Sequence, residues 1–333
     1  MNLKALVPVL LLFVLLVSCV TSDHYVVYSA SSDETSVNLY LVNANSGENQ
    51  QITNMAYANY PSWSPDGKKI VFSSSAGLYF ISNGNKKDVT KIIDTPNFEI
   101  HPNWSPDGSK IAFISQSVDN PSLYDLMVVN VDGTSLVTLA SSLGEIDYFS
   151  SFSWSPDGKK LTFSSPIGES REIVTINADG TGLTQVTNLS APPYSPPTQP
   201  SWSPDGKKIA FVTFDLLVIN SDGSGLAKLV DKETHNFSAL DAPQWSPNGK
   251  YIACHNGDNI ILVSSANGQI TTITGEYSIS SYSWSPQGDE LAYFVHNGDG
   301  TLNIEKINVN SMQKVEMTKD LAFYPWQSLS WQP

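Results

Sequence analysis

From His24 onward the apolar residues come in short runs: Ile70–Val71–Phe72, Ile111–Ala112–Phe113, Leu161–Thr162–Phe163, Ile209–Ala210–Phe211, Ile252–Ala253–Cys254 and Leu291–Ala292–Tyr293. Ser, Pro, Asp, Asn and Gly bound each run, and helical periodicity is absent. Short apolar runs punctuated by turn residues predict buried β-strands. Each first run is followed by a second, such as Leu216–Leu217–Val218–Ile219–Asn220. A turn of the type Asn177–Ala178–Asp179–Gly180 then leads into a third, such as Leu183–Thr184–Gln185–Val186–Thr187.

The runs are set in a repeat. Trp-Ser-Pro followed by Asp, Asn or Gln and then Gly recurs with its tryptophan at 63, 104, 154, 202, 245 and 284, and Trp331–Gln332–Pro333 is a truncated copy. The spacings are 41, 50, 48, 43, 39 and 47 residues. Each unit therefore predicts four antiparallel strands: a tryptophan strand A, a Ser-Pro-Asp-Gly turn into B, a variable loop to C, and an Asp-Gly turn into D. Proline supplies the fixed φ, and Gly or Asp the positive φ, that such reversals need. Four strands every 39 to 50 residues predict the blades of a β-propeller. One large ring at the same register of each blade is expected to pack between neighbouring sheets.

The two ends are complementary. Val26–Val27–Tyr28 reads as a B strand with no tryptophan strand before it, and Ser328–Leu329–Ser330–Trp331 as an A strand with no B after it. The C-terminal strand should complete the first blade. The expected fold is all-β: a closed seven-bladed propeller over residues 24–333, without exposed sheet edges.

Composition narrows the function. Lys plus Arg number 18 against 32 Asp plus Glu, and Arg171 is the one arginine. That balance argues against nucleic acid, where affinity comes largely from cations on phosphate. Two cysteines cannot build a disulfide framework. Cys254 ends an apolar run and is expected to be a small core residue.

The N-terminal residues form an address. After Lys4, Ala5 to Val17 is a 13-residue apolar run broken by Pro8. It is too short for a bilayer core that needs about 20 residues, and it suits a signal-peptide core. Its end, Leu16–Val17–Ser18–Cys19, resembles the lipobox of prokaryotic lipoproteins. That resemblance implies a signal peptide over 1–18, a lipid on Cys19, a short tether over 19–23, and a protein held at the outer side of a membrane, periplasmic or extracellular. An ordinary cleaved signal is the competing reading, though no Ala-x-Ala site is present.

The string Trp-Ser-Pro-Asp-Gly-Lys-Lys-Ile-Ala-Phe, with Asn-Ala-Asp-Gly-Thr-Gly-Leu-Thr-Gln-Val-Thr, resembles the repeat of TolB-type, WD-repeat-like propellers. The same superfamily includes the propellers of prolyl-oligopeptidase-type peptidases and the oligogalacturonate lyases. The resemblance spans nearly the whole exported chain and bears on fold, because the matching residues make turns and core. TolB itself has six blades and an extra N-terminal domain, so its role does not carry over. The peptidases need a separate hydrolase domain with a Gly-x-Ser-x-Gly elbow, which this sequence lacks.

In such a ring the A–B and C–D turns share one face, which also receives eight lysines. The B–C and D–A connections share the other face and vary, which is where binding usually resides. The D–A loops, expected at 55–60, 95–101, 143–151, 189–199, 232–242, 275–281 and 319–327, interleave aromatics with carboxylates. The residues three before each register tryptophan, namely Tyr60, His101, Ser151, Gln199, Ala242, Ser281 and Ser328, should enter strand A near an axial mouth. From this set and the loops, Tyr60, His101, Tyr148, Gln199, Asp241, Tyr277 and Trp326 are the candidate binding residues. Aromatics and acids around a funnel suit a glycan, a cationic peptide or a partner protein of the envelope. Contact with a membrane is expected through the lipid anchor only.

Histidine is the one hint of chemistry. His101 and His235 fall in the predicted D–A loops, and His-Asn-Gly-Asp occurs twice, at 255–258 and 296–299, in the predicted B–C loops. Neutral imidazoles beside carboxylates can hold zinc or manganese. Resemblance to the oligogalacturonate lyases implies a manganese held by His and Gln, with His101 and Gln199 in plausible positions and His235, His255 and His296 as further candidates. Asn-Gly-Asp is equally a hairpin turn, and no Ser/His/Asp set, phosphate-binding glycine loop or cofactor fingerprint is present. The favoured expectation is a binding module without catalysis or cofactor; a metal-assisted polysaccharide lyase or hydrolase is the alternative.

Overall fold

A computed structural model of the chain describes residues 24–33, 36–75, 77–82, 88–95, 97–117, 120, 122–143, 151–189, 196–275, 278–322 and 327–333. Its strands form seven four-stranded antiparallel sheets, each running A–B–C–D in space, and in all but the first blade also in sequence. The described residues include no helix long and apolar enough to cross a membrane.

Each A–B turn is built by its own repeat. In blade 2, Ser64 Oγ donates to Asp66 Oδ1 at 2.6 Å, and the Lys68 amide donates to the same oxygen at 3.1 Å. The Lys69 amide donates to Ser64 Oγ at 2.9 Å, while Gly67 supplies a φ of 67°. Ser105/Asp107, Ser155/Asp157, Ser203/Asp205 and Ser246/Asn248 repeat the serine bond. The serine hydroxyl is the main reason the four carboxyls lie below the usual aspartate range. The C–D turns use a second device: Thr181 Oγ1 donates to Asp179 Oδ1 at 2.6 Å and accepts from Asn177 Nδ2 at 3.0 Å.

Hydrophobic burial lies between blades. Seven core clusters each join two adjacent sheets: Trp104 of blade 3 packs with Val71, Leu78 and Ile93 of blade 2, and Trp63 of blade 2 with Val27 and Leu39 of blade 1. The A strands form the innermost ring, because each bonds to the A strand before it. Trp104 Nε1 donates to Ser62 O at 3.1 Å, Trp154 Nε1 to Asn103 O at 3.3 Å, and Trp284 Nε1 to Gln244 O at 3.3 Å. Elsewhere the tryptophan amide is used: Trp202 donates to Ser153 Oγ at 3.2 Å, and Trp331 to Ser283 Oγ at 3.1 Å.

The ring closes as the complementary ends require. Val26 pairs with Trp331 and Tyr28 with Leu329, so the last strand, Leu329–Trp331, lies beside Tyr25–Asp33 in the first sheet. Cys254 is fully buried, as expected of a core residue, and its Sγ donates to Asp241 O at 3.0 Å.

Candidate functional site at the axial mouth

The innermost strands share a feature that composition does not announce. In five blades the residue three before the register tryptophan has a left-handed backbone without being glycine: Tyr60 (φ 53°), His101 (φ 54°), Gln199 (φ 54°), Ala242 (φ 48°) and Ser281 (φ 34°). At each of these positions the A–B pairing skips: between Asn59 and Ser62, Ile100 and Asn103, Thr198 and Ser201, Asp241 and Gln244, and Ser280 and Tyr282. A bulge turns the strand and re-aims a side chain. Left-handed backbone at a non-glycine residue costs roughly 1–2 kcal/mol and persists where its surroundings over-determine it.

Those surroundings run from blade to blade. The Ala242 amide donates to Gln199 Oε1 of blade 5 at 2.6 Å, and the Ala242 carbonyl accepts from Tyr282 Oη of blade 7. Tyr282 Oη shares that one proton with Ala253 O at 3.0 Å, and its ring lies 4.9 Å from that of His255. On the opposite arc, Ser328 Oγ of blade 1 donates to Asn59 Oδ1 at 3.4 Å, and the Tyr60 amide donates to the same oxygen at 2.8 Å. The Tyr60 ring then lies 4.2 Å from the His101 imidazole of blade 3. Blades 1 to 3 and 5 to 7 are thus laced around one opening, with Ser151 of blade 4 exposed between them.

The electrostatics are muted. His101 is exposed to solvent at one side and stacked against Tyr60 at another, and desolvation by the neighbouring protein pushes its imidazole down, to about 4. It is neutral at pH 7. Burial lowers His255, against the opposing pull of Asp241, and raises Asp241, against the opposing pull of His255. Glu99, two residues before His101, is fully buried and raised mainly by desolvation; Thr95 Oγ1 donates to its Oε1, and its Oε2 has no partner among the described residues. The mouth therefore offers an aromatic ring, an uncharged imidazole, hydroxyls and amides rather than a strong field.

The structure corrects several boundaries. Phe98, Glu99, His101, Gln199, Leu240, Asp241 and Ala242, expected in D–A loops, lie in A strands, because the bulge lets pairing continue beyond it. His255 and His296, expected in B–C loops, close B strands. Their shared tetrapeptide makes two different turns. In blade 6 Asn256 pairs with Asn259 across a two-residue reversal, whereas in blade 7 the Asn297 amide donates to Thr301 O and the Thr301 amide to Asp299 Oδ1.

Of the candidate residues, Tyr60, His101, Gln199 and Asp241 lie on the A strands at or beside the bulge register, Gln199 buried; Tyr148, Tyr277 and Trp326 lie outside the described residues, as does Cys19. The four histidines do not converge. His235 stacks on Phe237 at 5.5 Å and its Nδ1 contacts Asp231 O at 2.9 Å, while His296 Nε2 contacts Ser280 Oγ at 3.1 Å. Gln199 has committed its Oε1 to Ala242. Among the described residues no three His, Cys, Asp or Glu side chains are grouped to hold a metal. Sequence reasoning placed Ala242 at the register three before tryptophan but missed the lacing residues Asn59 and Tyr282, which stand four and two before theirs.

A family model described as the TolB β-propeller domain matches residues 85–322. No curated protein matches the chain. Among solved structures, TolB from Acinetobacter baumannii is similar at 16% identity over 93% of this chain and 83% of that one, with a TM-score of 0.56. An oligogalacturonate lyase from Vibrio parahaemolyticus is similar at 14% identity over 84% of this chain and 85% of that one, with a TM-score of 0.64. A puromycin hydrolase is similar at 14% identity over 91% of this chain, with a TM-score of 0.70, but this chain spans only 53% of it. At such identities the likeness is one of fold.

Proposed function

The chain belongs to the TolB β-propeller domain family, and from that premise we propose that it is a non-enzymatic binding module of the cell envelope, anchored by a lipid on Cys19. It takes a protein, peptide or glycan at the axial mouth on the variable face. One observation carries this reading: left-handed, non-glycine backbone is kept at one register of five inner strands, all around one opening. Strain repeated at equivalent positions and laced across blades fixes side-chain directions, which a binding surface needs and a mere spacer does not.

Neutral His101, Tyr60 and the laced amides suit hydrogen bonding and stacking with an uncharged or weakly charged partner. A metal-assisted lyase has less support, since the histidines it would use each face separate neighbours. The test is a pull-down from envelope extract with the intact protein and with Tyr60→Ala, Trp326→Ala and, as a control on the other face, Lys159→Ala. The expected result is one partner recovered by the intact protein and by the control, and lost with Tyr60→Ala or Trp326→Ala. Undiminished recovery by both mouth variants would contradict the assignment.

A further inference from the structure

Six large apolar side chains stand exposed among the described residues, and five lie at the C–D turns: Leu136 (42%), Leu183 (55%), Leu226 (39%), Met312 (37%) and Val315 (41%). Leu136, Leu183 and Leu226 occupy the same place, just after the Asp-Gly turn, in the consecutive blades 3, 4 and 5. Their turns interlock. A Cβ on Gly180 of blade 4 would meet Val137 Cγ1 of blade 3 at 3.4 Å, and one on Gly223 of blade 5 would meet Val186 O of blade 4 at 3.0 Å. The leucines therefore stand along one continuous rim.

Met312 adds an independent sign. In blades 1 and 6 the corresponding turn position is Gly47 or Gly268, with φ of 71° and 72°; blade 7 places Met312 there with φ 59°. The usual residue for that backbone is glycine, so an exposed methionine stands there against the local preference.

The chain enters the fold on this same face. The Ala44 amide, in the C–D turn of blade 1, donates to His24 O at 2.8 Å, and Tyr25 begins the first B strand at its A–B end. Only residues 20–23 separate His24 from Cys19, a span of at most about 17 Å when fully extended. We propose that the C–D turn face rests on the lipid bilayer, with Leu136, Leu183, Leu226 and Met312 dipped into its interface, so that the axial mouth faces away from the membrane. This rests on the lipid-anchored reading above.

The contact is apolar rather than electrostatic. Lysines of this face stand beside carboxylates of their own turns, Lys68 by Asp66 at 3.9 Å, Lys159 by Asp157 at 4.0 Å and Lys207 by Asp205 at 3.8 Å, leaving no strong positive field. Zwitterionic lipid should therefore suffice, and salt should matter little. The acyl chains supply the affinity, and the leucine rim, on blades across the ring from the tether, sets the tilt.

The experiment uses the full-length acylated protein in phosphatidylcholine vesicles that carry a lipid-borne quencher. A fluorescent label is placed at Leu183→Cys, at Leu226→Cys, or at Phe214→Cys in the B–C hairpin of blade 5. Cys254 is buried with its thiol pushed up, so it does not compete for label. The expected result is quenching several-fold stronger at 183 and 226 than at 214, unchanged by moderate salt. Acylated protein with equal or reversed quenching overturns the orientation alone. So does a label at 183 that a bound protein, rather than lipid, shields. Mass spectrometry showing no acyl group on Cys19 overturns the anchored reading and the orientation with it.

Discussion

Tyr25 and Gln332 hold the ring shut: the Gln332 amide donates to Tyr25 O at 2.8 Å, and the Tyr25 amide donates to Gln332 Oε1 at 3.3 Å, across 307 positions of sequence. Gln332 Nε2 reaches on to Gly67 O of blade 2 at 2.9 Å. One terminal side chain thus takes the place of the covalent A–B turn that every other blade has.

Closure therefore depends on a three-residue strand. Trp331 is 6% exposed and packs in the cluster shared by blades 1 and 7. Trp331→Ala is expected to lower stability by about 3–5 kcal/mol, as for other buried aromatic truncations. Gln332→Ala should cost about 1 kcal/mol through its lost hydrogen bonds. Urea denaturation checks both; a Trp331→Ala loss below that of Gln332→Ala would contradict the clasp.

The backbone at the mouth carries strain that glycine would relieve. Ala242→Gly keeps both the amide bond to Gln199 and the carbonyl bond from Tyr282. It should leave stability unchanged or raise it by up to about 1 kcal/mol, because left-handed backbone is natural to glycine. A mid-strand glycine without such strain would instead lose about 0.5–1 kcal/mol, so the sign of the change is the readout.

His101 is expected to give the fold an acid sensitivity. Its imidazole protonates near 4 in the folded chain and near 6.5 when unfolded, so the unfolded state binds the extra proton first as pH falls. Its contribution to stability is full above about 6.5, declines between there and about 4, and levels off below. Water at the mouth moderates the size of this effect. The intact protein should lose more stability than His101→Gln between pH 7 and pH 5, and the His101 ring should be neutral by NMR at pH 5. Equal losses, or a protonated ring, would refute it.

Met312→Gly separates folding from surface function. Removing a left-handed methionine should raise stability by up to about 1 kcal/mol, while weakening contact of that rim with vesicles. Loss of stability would show that the side chain serves packing instead.

Blades and closure were legible because turn chemistry is local: Ser-Pro-Asp-Gly states its own geometry, and Ser64, Asp66 and Gly67 bond as that string implies. Tryptophan register was readable for the same reason. The mouth was only half legible. Tyr60, His101 and Gln199 could be placed by counting back from tryptophan, but their left-handed backbone carries no glycine signal, so the bulges and the longer A strands were invisible. Ala242 has no side-chain chemistry to notice; it matters through its peptide group, held by Gln199 and Tyr282. The duplicated His-Asn-Gly-Asp suggested shared chemistry, yet Gly257–Asp258 forms a two-residue reversal while Asn297–Thr301 forms a capped turn.

The central claim, that the two faces of the ring do different work, is tested most directly by photo-crosslinking in the native membrane. A crosslinkable residue is placed at Ser151 or Ser281 of the mouth, or at Lys159 of the turn face. The account expects adducts with one envelope protein or glycan from positions 151 and 281, and none with it from 159. Adducts with the same macromolecule from 159, or from 159 alone, would contradict it.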